Sequence, residues 1–321
     1  MKKRIKQFLY YTGILSAFHR IRNKHTLTII MLHRVLPNVQ KTTQGATPEW
    51  VLSDEVFSDF LQFVKKEYNI ISYSQLVKAD GDMKKLPKRA LLLTFDDGWK
   101  DNYDYAFPIL SKANVSAHIF LATDAIGYQH AFWQEQILAA CRITPNLLPK
   151  LLSQFQTVNC TTVEHFVEYL QNHKQPNFIA DLLDYIAEYQ PVERQMLNQF
   201  EIKQMSSEGI TFGGHGASHT PLKNLHMRDV DFELERCQNS SNELFDYQFN
   251  NLSFPHGSYD DEIVKLCIGK GFTFLFTSQD GLLVSETGLM PRVHIAEHAI
   301  AVNGIFKPWF AAMNLFFRDK L

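Results

Sequence analysis

Two adjacent carboxylates mark the place in this chain where chemistry is first expected. Asp96 and Asp97 follow the apolar run 91–95 and precede Gly98. Asp-Gly alone is ordinary turn chemistry. A turn does not explain two carboxylates at the end of so apolar a strand, however. The motif therefore predicts a proton-transfer or metal-binding group at the end of a buried strand.

Two histidines far downstream supply the matching ligands. His215 and His219 follow the apolar segment 209–212, and we expect their spacing to put both imidazoles on one side of a helical turn. Two neutral imidazoles and one carboxylate are a common ligand set for catalytic zinc, with one position left to water. Together with Asp97 they predict a divalent metal site, first of all for Zn²⁺, with Co²⁺, Ni²⁺ and Fe²⁺ as alternatives.

The order of these motifs resembles the NodB-type polysaccharide deacetylases, also called carbohydrate esterase family 4, over roughly residues 26–296. Residues 94–98 are similar to the first motif of that family, and the resemblance implies that Asp96 is the general base and Asp97 a metal ligand. His215 and His219 are similar to the second motif, and the resemblance implies that they are the other two ligands.

The resemblance continues in two later segments. Residues 252–260 are similar to the third motif, in which Pro255 and His256 line the groove and the His256 N–H binds the developing oxyanion. The run 291–295 is similar to the closing strand. It implies that His294 is the general acid, with His298 as the fallback.

Two positions depart from the family pattern. Gly216 stands where Ser or Thr is usual, so we expect a less secured loop. Ser253 stands where the third motif often has an arginine that pairs with the base, and we expect Arg292 to supply that charge to Asp96. His33, after an apolar run, is expected to be either a hydrogen-bonded residue at the barrel mouth or a substrate contact.

The elements that must position these residues alternate between strands and helices. This alternation, with chemistry at the strand ends, predicts an α/β fold with a parallel barrel or open sheet. The resemblance implies a distorted, incomplete (β/α) barrel. Helical spacing predicts a helix over 55–67 and another over 230–244. The predicted strands are 27–32, 69–72, 90–95, 116–121, 209–213, 250–254, 272–277 and 291–295.

A mostly helical insertion over about 128–205 interrupts the alternation within the deacetylase-like domain, 26–300. Phe132 and Trp133 lie near its start. Aromatic rings suit the apolar faces of sugars. These two side chains are therefore expected either to stack on a sugar or to anchor the small core of the insertion.

Both termini are amphipathic. The basic N-terminal segment, 1–25, has an apolar run shorter than the roughly 20 residues that span a bilayer, and no clear signal-peptidase site follows it. We expect a helix that lies on the inner membrane surface or on the barrel. The C-terminal tail, 301–321, has the same character. A cytoplasmic location, which includes the inner face of the membrane, is expected ahead of a periplasmic or secreted one.

Composition limits the other possibilities. The 321 residues are 45% hydrophobic and 21% charged, which fits one large α/β domain with an insertion. A net charge of −2 gives no basic field for nucleic acid. Cys141, Cys160, Cys237 and Cys267 show no Cys-x-x-Cys spacing. They are expected to be free, reduced thiols, as is usual in a cytosolic protein.

These residues predict a metal-dependent hydrolase that removes N-acetyl groups from amino sugars of a bacterial surface polysaccharide or its lipid-linked precursor. One alternative is a deformylase or deacetylase of an undecaprenyl-linked aminosugar, which would use the same site. The other is a glycan-binding protein that keeps the barrel but is catalytically weakened. Metal-dependent release of acetate or formate separates these hypotheses.

Overall fold

The computed structural model describes residues 2–80, 82–155, 160–173, 176–284 and 288–321. Its strands are short and mostly buried. In chain order they are β1 (Leu27–Leu32), β2 (Arg34–Leu36), β3 (Val51–Ser53), β4 (Asn69–Ile70), β5 (Ala90–Phe95), β6 (His118–Leu121), β7 (Thr211–Gly214), β8 (Asn251–Ser253), β9 (Phe274–Phe276), β10 (Leu289–Met290), β11 (Val293–His294), β12 (Ala301–Val302) and β13 (Ile305–Phe306).

Nine of these strands form one curled sheet in which every pairing is parallel. The spatial order is β11-β1-β5-β6-β7-β8-β9-β10, and β4 pairs with β5 beside β6. Within the described residues the edge strands β10 and β11 do not pair, so the barrel is open there. The predicted incomplete (β/α) barrel is confirmed. All eight predicted strands are present, and the strands that the sequence missed have only two or three residues.

The helices lie around the sheet and in the insertion. They are α1 (Lys2–Tyr11), α2 (Ile14–Arg22), α3 (Asn38–Thr43), α4 (Asp54–Glu67), α5 (Tyr73–Ala79), α6 (Phe107–Ala113), α7 (Trp133–Ile143), α8 (Leu147–Gln154), α9 (Val163–His173), α10 (Pro176–Ile186), α11 (Gln199–Ser207), α12 (Met227–Phe245), α13 (Asp261–Gly269), α14 (Glu297–Ile300) and α15 (Pro308–Leu315). A π-helical turn covers Asn102–Ala106, and 3₁₀ turns cover Thr123–Ala125, Ala187–Tyr189, Leu222–Asn224 and Pro255–Gly257.

The central strands are buried on both faces, as parallel strands between layers must be. In β5, Leu91 and Leu93 pack with the outer helices, whereas Leu92 packs inside the barrel. This alternation follows from the two-residue period of a strand. Because both faces of β5 are fixed by packing, the residues that follow Phe95 leave the sheet at a defined point.

The insertion between β6 and β7 has its own hydrophobic core, built from α7 to α10. Trp133 packs against that core, so for this residue the anchoring interpretation is correct. The predicted end of the insertion, at about 205, is too late. Ile202 and Met205 of α11 belong to the barrel core, because their apolar face covers the sheet rather than the insertion.

The termini also differ from the expectation of one helix. The N-terminal segment forms two helices, α1 and α2, separated at Gly13, whose φ of +80° ends a regular helix. The C-terminal tail contains α15, and Leu315 and Phe316 are fully buried in the barrel core. In the part of the chain that is described, the helices are too short or too polar to cross a membrane. All four cysteines are unpaired.

Candidate metal centre and active site

The carboxyl ends of β5 and β7 bring the two main motifs together. Asp96 continues the line of β5, and its backbone N–H donates to the Leu32 carbonyl at 2.9 Å. His215 follows β7, and its N–H donates to the Leu121 carbonyl at 2.8 Å. Parallel strands end at the same edge of a sheet, so residues 119 positions apart in sequence meet there.

Asp97, His215 and His219 form a compact group of candidate metal ligands. One ligand atom from each lies within 4.8 Å of the others. The Oδ1 atom of Asp97 is 3.3 Å from His215 Nε2 and 3.2 Å from His219 Nε2. This oxygen is buried and accepts no hydrogen bond. A buried, unpartnered carboxylate oxygen facing two imidazole nitrogens fits a divalent cation, which would satisfy all three donors at once.

Neighbouring groups orient two of these ligands. His215 Nδ1 lies 2.8 Å from the Ser253 carbonyl, which can only accept a hydrogen bond. The proton therefore sits on Nδ1, and Nε2 keeps its lone pair for a cation. Asp97 Oδ2 accepts from Trp99 Nε1 at 2.8 Å. Trp99 is held in turn by Arg34, whose guanidinium lies 4.0 Å from the centre of the indole ring.

The two histidines do not lie on a helical turn, so that prediction is wrong. They lie in the loop after β7. Gly216 and His219 have φ of +69° and +62°, and these left-handed residues fold the loop so that both rings converge. Gly216 would be strained by any side chain, whose Cβ would also meet Pro255 Cγ at 3.2 Å.

The loop is more secured than the glycine led us to expect. A carboxylate oxygen of Glu233, on α12, accepts the N–H groups of Ala217 at 3.1 Å and Ser218 at 2.9 Å. Hydrogen bonds to a charged acceptor are stronger than neutral ones. Glu233 therefore stabilises the loop, as a hydroxyl at position 216 was expected to do. This role of Glu233 was not predicted from the sequence.

Asp96 is held by a buried arginine. Arg292 donates to both carboxylate oxygens, at 2.6 and 2.7 Å, and also to the Ser253 hydroxyl at 2.8 Å. Ser253 cannot supply a positive charge to Asp96, and Arg292, the residue before β11, supplies it instead. Burial alone would raise the pKa of Asp96, but Arg292 and His215 lower it to about 2. Burial alone would also raise the pKa of Asp97, but the two histidines beside it hold that pKa well below its ordinary value.

These groups open into a cavity of about 280 Å³. Its floor carries Asp96 and the three candidate ligands. The remaining wall residues are mostly aromatic or polar: Met31, His33, Arg34, Thr47, Trp50, Trp99, Phe132, Glu135, Phe254, His256, Gly257 and Ser278. The volume and the aromatic lining suit one sugar ring better than a large apolar ligand.

The insertion contributes two side chains to this cavity. Phe132 stacks on His219, with ring centres 4.0 Å apart and an interplanar angle of 22°. Glu135 accepts from the Thr47 hydroxyl at 2.9 Å, and burial raises its pKa. The sequence pattern indicated Phe132, whereas it carries no signal for Glu135 or Thr47. Their role depends on how the insertion folds back over the barrel.

The third-motif residues lie at the same edge. Pro255 is buried, and His256 is exposed, with a φ of +56°. The His256 ring lies 4.5 Å from that of His219. The His256 side chain therefore lies beside the candidate ligands, and the catalytic role of its backbone N–H stays a prediction.

The predicted general acid lies outside the cavity lining. His294 contacts Trp50, with ring centres 4.6 Å apart, but it is not among the described residues that line the cavity. Burial, with His33 nearby, lowers the pKa of His294 to about 4. His33 itself does line the cavity, and burial lowers its pKa too. Both His33 Nδ1 and His294 Nε2 are buried without a hydrogen-bond partner. His298, the fallback, is 72% exposed and faces a different cavity.

Comparison with known proteins defines the class to which this fold and site belong. The family described as polysaccharide deacetylase matches residues 83–275, more than half of the chain. The chain therefore belongs to the polysaccharide deacetylase family, and the family resemblance read from the motifs is confirmed.

Individual relatives are distant. A putative polysaccharide deacetylase of Bacillus subtilis, YxkH, is 21% identical over 66% of this chain, and the chain covers about half (54%) of that relative. The poly-beta-1,6-N-acetyl-D-glucosamine N-deacetylase of Staphylococcus epidermidis is 23% identical over 61% of this chain and 69% of its own length. Among solved structures, the Streptococcus pyogenes deacetylase PplD, in complex with acetate, superposes with a TM-score of 0.60 at 16% identity, over 90% of this chain and 98% of that one.

Proposed function

We propose that this protein is a metal-dependent hydrolase that removes N-acetyl groups from amino sugars of a bacterial surface polysaccharide or its lipid-linked precursor. One observation carries the proposal. Asp97 and His215, which are buried, and the half-buried His219 lie beside an ionised Asp96 in the lining of a cavity of about 280 Å³. Family membership and the S. epidermidis relative support the same reaction.

Asp97, His215 and His219 would hold the metal. A divalent cation there, with Zn²⁺ expected first, supplies Lewis acidity toward water and the acetyl carbonyl. Asp96 then takes the proton from the attacking water. Its low pKa keeps the carboxylate ionised, and Arg292 keeps it oriented toward the triad.

Two further groups complete the reaction that we propose. The backbone N–H of His256 donates to the oxyanion, a contribution of about 3 to 4 kcal/mol in comparable sites. The departing amine needs a proton, and we assign its delivery to His33 in place of His294. His33 lines the cavity, whereas His294 contacts it only through the Trp50 and His33 rings. Replacing each by Gln tests this: His33→Gln should lower kcat more than His294→Gln, and the reverse would restore the first assignment.

The substrate must present an N-acetyl sugar to an aromatic and polar cavity. Trp50 and Phe132 offer ring faces for the sugar, and Glu135 and Thr47 offer hydrogen bonds to its hydroxyl groups. A polymer such as that of the S. epidermidis relative and a lipid-linked precursor both meet this requirement. We propose the cytoplasmic side of the membrane as the working location, since four unpaired thiols suit a reducing compartment.

The decisive experiment measures acid release from oligomers of N-acetylglucosamine and from lipid-linked N-acetyl sugars. Wild type should release acetate with added Zn²⁺ and lose this activity after chelation. Asp96→Asn should bind the metal and lower turnover by about 10²- to 10⁴-fold. Asp184→Asn, an exposed carboxylate of the insertion, is the matched control and should be unaffected.

Each other result supports a different conclusion. Formate in place of acetate would support the deformylase alternative. Binding of the oligomers without release of any acid, with metal bound, would identify a glycan-binding protein. Full turnover in Asp96→Asn would show that the proposed base is wrong.

A further inference from the structure

The two N-terminal helices carry a row of apolar side chains on the side that faces solvent. We call this surface the terminal face; it consists of Phe8, Tyr11, Ile14, Phe18, Ile21 and Phe317, which are 40 to 80% exposed. In α2 the exposed residues follow helical spacing, at 14, 18 and 21. An ordered apolar stripe of this kind marks a binding surface more often than scattered single residues do.

The helices beneath this face are firmly attached to the domain. Leu15 and His19, on the inner side of α2, are buried. The Ser16 hydroxyl donates to Glu67 at 2.9 Å. Phe18 stacks on Phe317, with ring centres 5.0 Å apart, which joins the two chain termini in one surface. The exposed apolar residues are therefore held in place by other contacts and are available to a partner.

The charge on the two N-terminal helices has one sign. Arg4, Lys6, Arg20 and Lys24 are exposed around the apolar row, and the chain has no acidic residue before Glu49. Nearby at the C-terminus, Arg318 is paired with Asp280 at 2.6 Å and so adds little free charge. In a two-fold dimer through the terminal face, the positive charges of the two copies would face each other, because such an interface repeats the same patch. This repulsion disfavours a second copy as the partner.

We propose that the terminal face docks on an anionic lipid surface. Apolar side chains enter the boundary between headgroups and acyl chains, and basic residues at the rim attract anionic headgroups, as in amphipathic helices that lie in the interface. This proposal goes beyond the deacetylase reaction and does not depend on it.

The position of the terminal face gives the docked enzyme a defined orientation. Its helices contact the domain at Glu67 and Tyr68, just before the amino end of the sheet. The candidate metal centre lies at the opposite, carboxyl end. Six residues of β1 separate the two ends, which corresponds to about 20 Å at 3.3 Å per residue. The cavity therefore lies at the end of the barrel away from the docked helices, where glycan in the aqueous phase can reach it.

Sedimentation of the full-length protein with vesicles tests the proposal without any substrate. The protein should pellet with vesicles of phosphatidylcholine and phosphatidylglycerol, should bind pure phosphatidylcholine weakly, and should dissociate as salt screens the charges. Absence of binding to anionic vesicles at low salt would overturn the proposal. If the protein does not bind vesicles but forms a dimer that the substitution Ile21→Ser dissociates, the partner of the terminal face is a second copy of this chain and the lipid proposal is wrong.

Variants localise the binding to this face. Ile21→Ser should weaken binding about tenfold, because one buried apolar side chain is lost. Arg20→Gln and Lys24→Gln should each weaken it about fivefold. Ile268→Ser and Lys203→Gln, exposed residues on α13 and α11, are the matched controls and should bind as wild type does. Equal losses in variants and controls would show that the terminal face is not the docking surface.

Ile21→Ser should also release acetate from soluble oligomers at the wild-type rate, because the terminal face lies at the opposite end of the barrel from the cavity. Normal turnover with lost vesicle binding separates docking from catalysis. Loss of both activities, with an unchanged circular dichroism spectrum, would contradict the separation of the two ends.

Discussion

The two walls of the cavity come from different parts of the molecule. On one side, Asp96 and the candidate metal ligands follow the barrel strands, and partners such as Arg292 and Trp99 fix Asp96 and Asp97. On the other side, Trp50 precedes β3 and Glu135 lies in the insertion. We assign the reaction to groups on the barrel wall and contacts with the sugar to groups on the accessory wall. The comparison suggests that one wall sets the rate of the reaction and the other selects the substrate.

The largest effect is expected from Arg292→Met, on the barrel wall. It leaves Asp96 buried without its partner, which costs about 3 to 5 kcal/mol in the free energy of unfolding. It should also move the acid limb of kcat/KM upward by about one to three pH units, since a neighbouring arginine lowers a carboxyl pKa by that amount. Urea unfolding and a pH–rate profile measure both effects.

The stability of the wild-type protein depends on pH through Asp96. In wild type the pKa of Asp96 is lowered from 3.8 to about 2. Its contribution to stability is therefore complete above about pH 4 and is lost as the pH falls through 2. In the double variant Arg292→Met/Asp96→Asn the buried charge is gone, so part of the stability should return. No recovery would mean that Arg292 stabilises the fold by other contacts.

Trp99→Phe tests the support of the metal triad. The change removes the hydrogen bond to Asp97 Oδ2 and keeps most of the ring volume. Loss of such a supporting group lowers metal affinity by about 10- to 100-fold. Competition with a chromogenic chelator measures the affinity. Trp133→Phe, in the insertion core, is the matched control and should keep wild-type affinity.

Glu135→Gln tests the accessory wall. We expect KM for N-acetylglucosamine oligomers to rise about tenfold, since a hydrogen bond to a charged group contributes about 1.5 to 3 kcal/mol. Metal affinity should not change, and kcat should change little. Glu164→Gln is the control, because Glu164 pairs with Arg142 on the same insertion and lies outside the cavity lining. A fall in kcat with unchanged KM would move Glu135 to the reacting groups.

The smallest effect on the barrel wall is expected from Leu182→Ala. Leu182 is fully buried in the core of the insertion, and its truncation should cost about 2 to 5 kcal/mol of packing there. Hydrogen exchange should show faster exchange in α7 to α10 and unchanged protection in the barrel strands. Metal stoichiometry should stay that of wild type. Loss of metal in this variant would show that the two walls fold as one unit.

Much of the fold was predictable because its signals are local. The leucine-rich run of β5 and the apolar face of α4 depend on residue spacing alone, and both elements are present. Short strands such as β2 and β12 were missed because two or three residues carry no period. The end of the insertion was misplaced because helical spacing does not show which core a helix packs against, and α10 and α11 pack against different cores.

The sequence by itself was sufficient to name the candidate metal ligands and Asp96, because residue type and order are sufficient to match a motif. Only the tertiary structure decided how these groups are held. The convergence of the histidines depends on left-handed residues in a loop, and the hydrogen bonds from Glu233 and the ion pair of Arg292 cross between elements far apart in sequence. A motif shows which side chains are available and in what order. The distances between them across the barrel depend on tertiary packing, and a local sequence pattern holds no information about that packing.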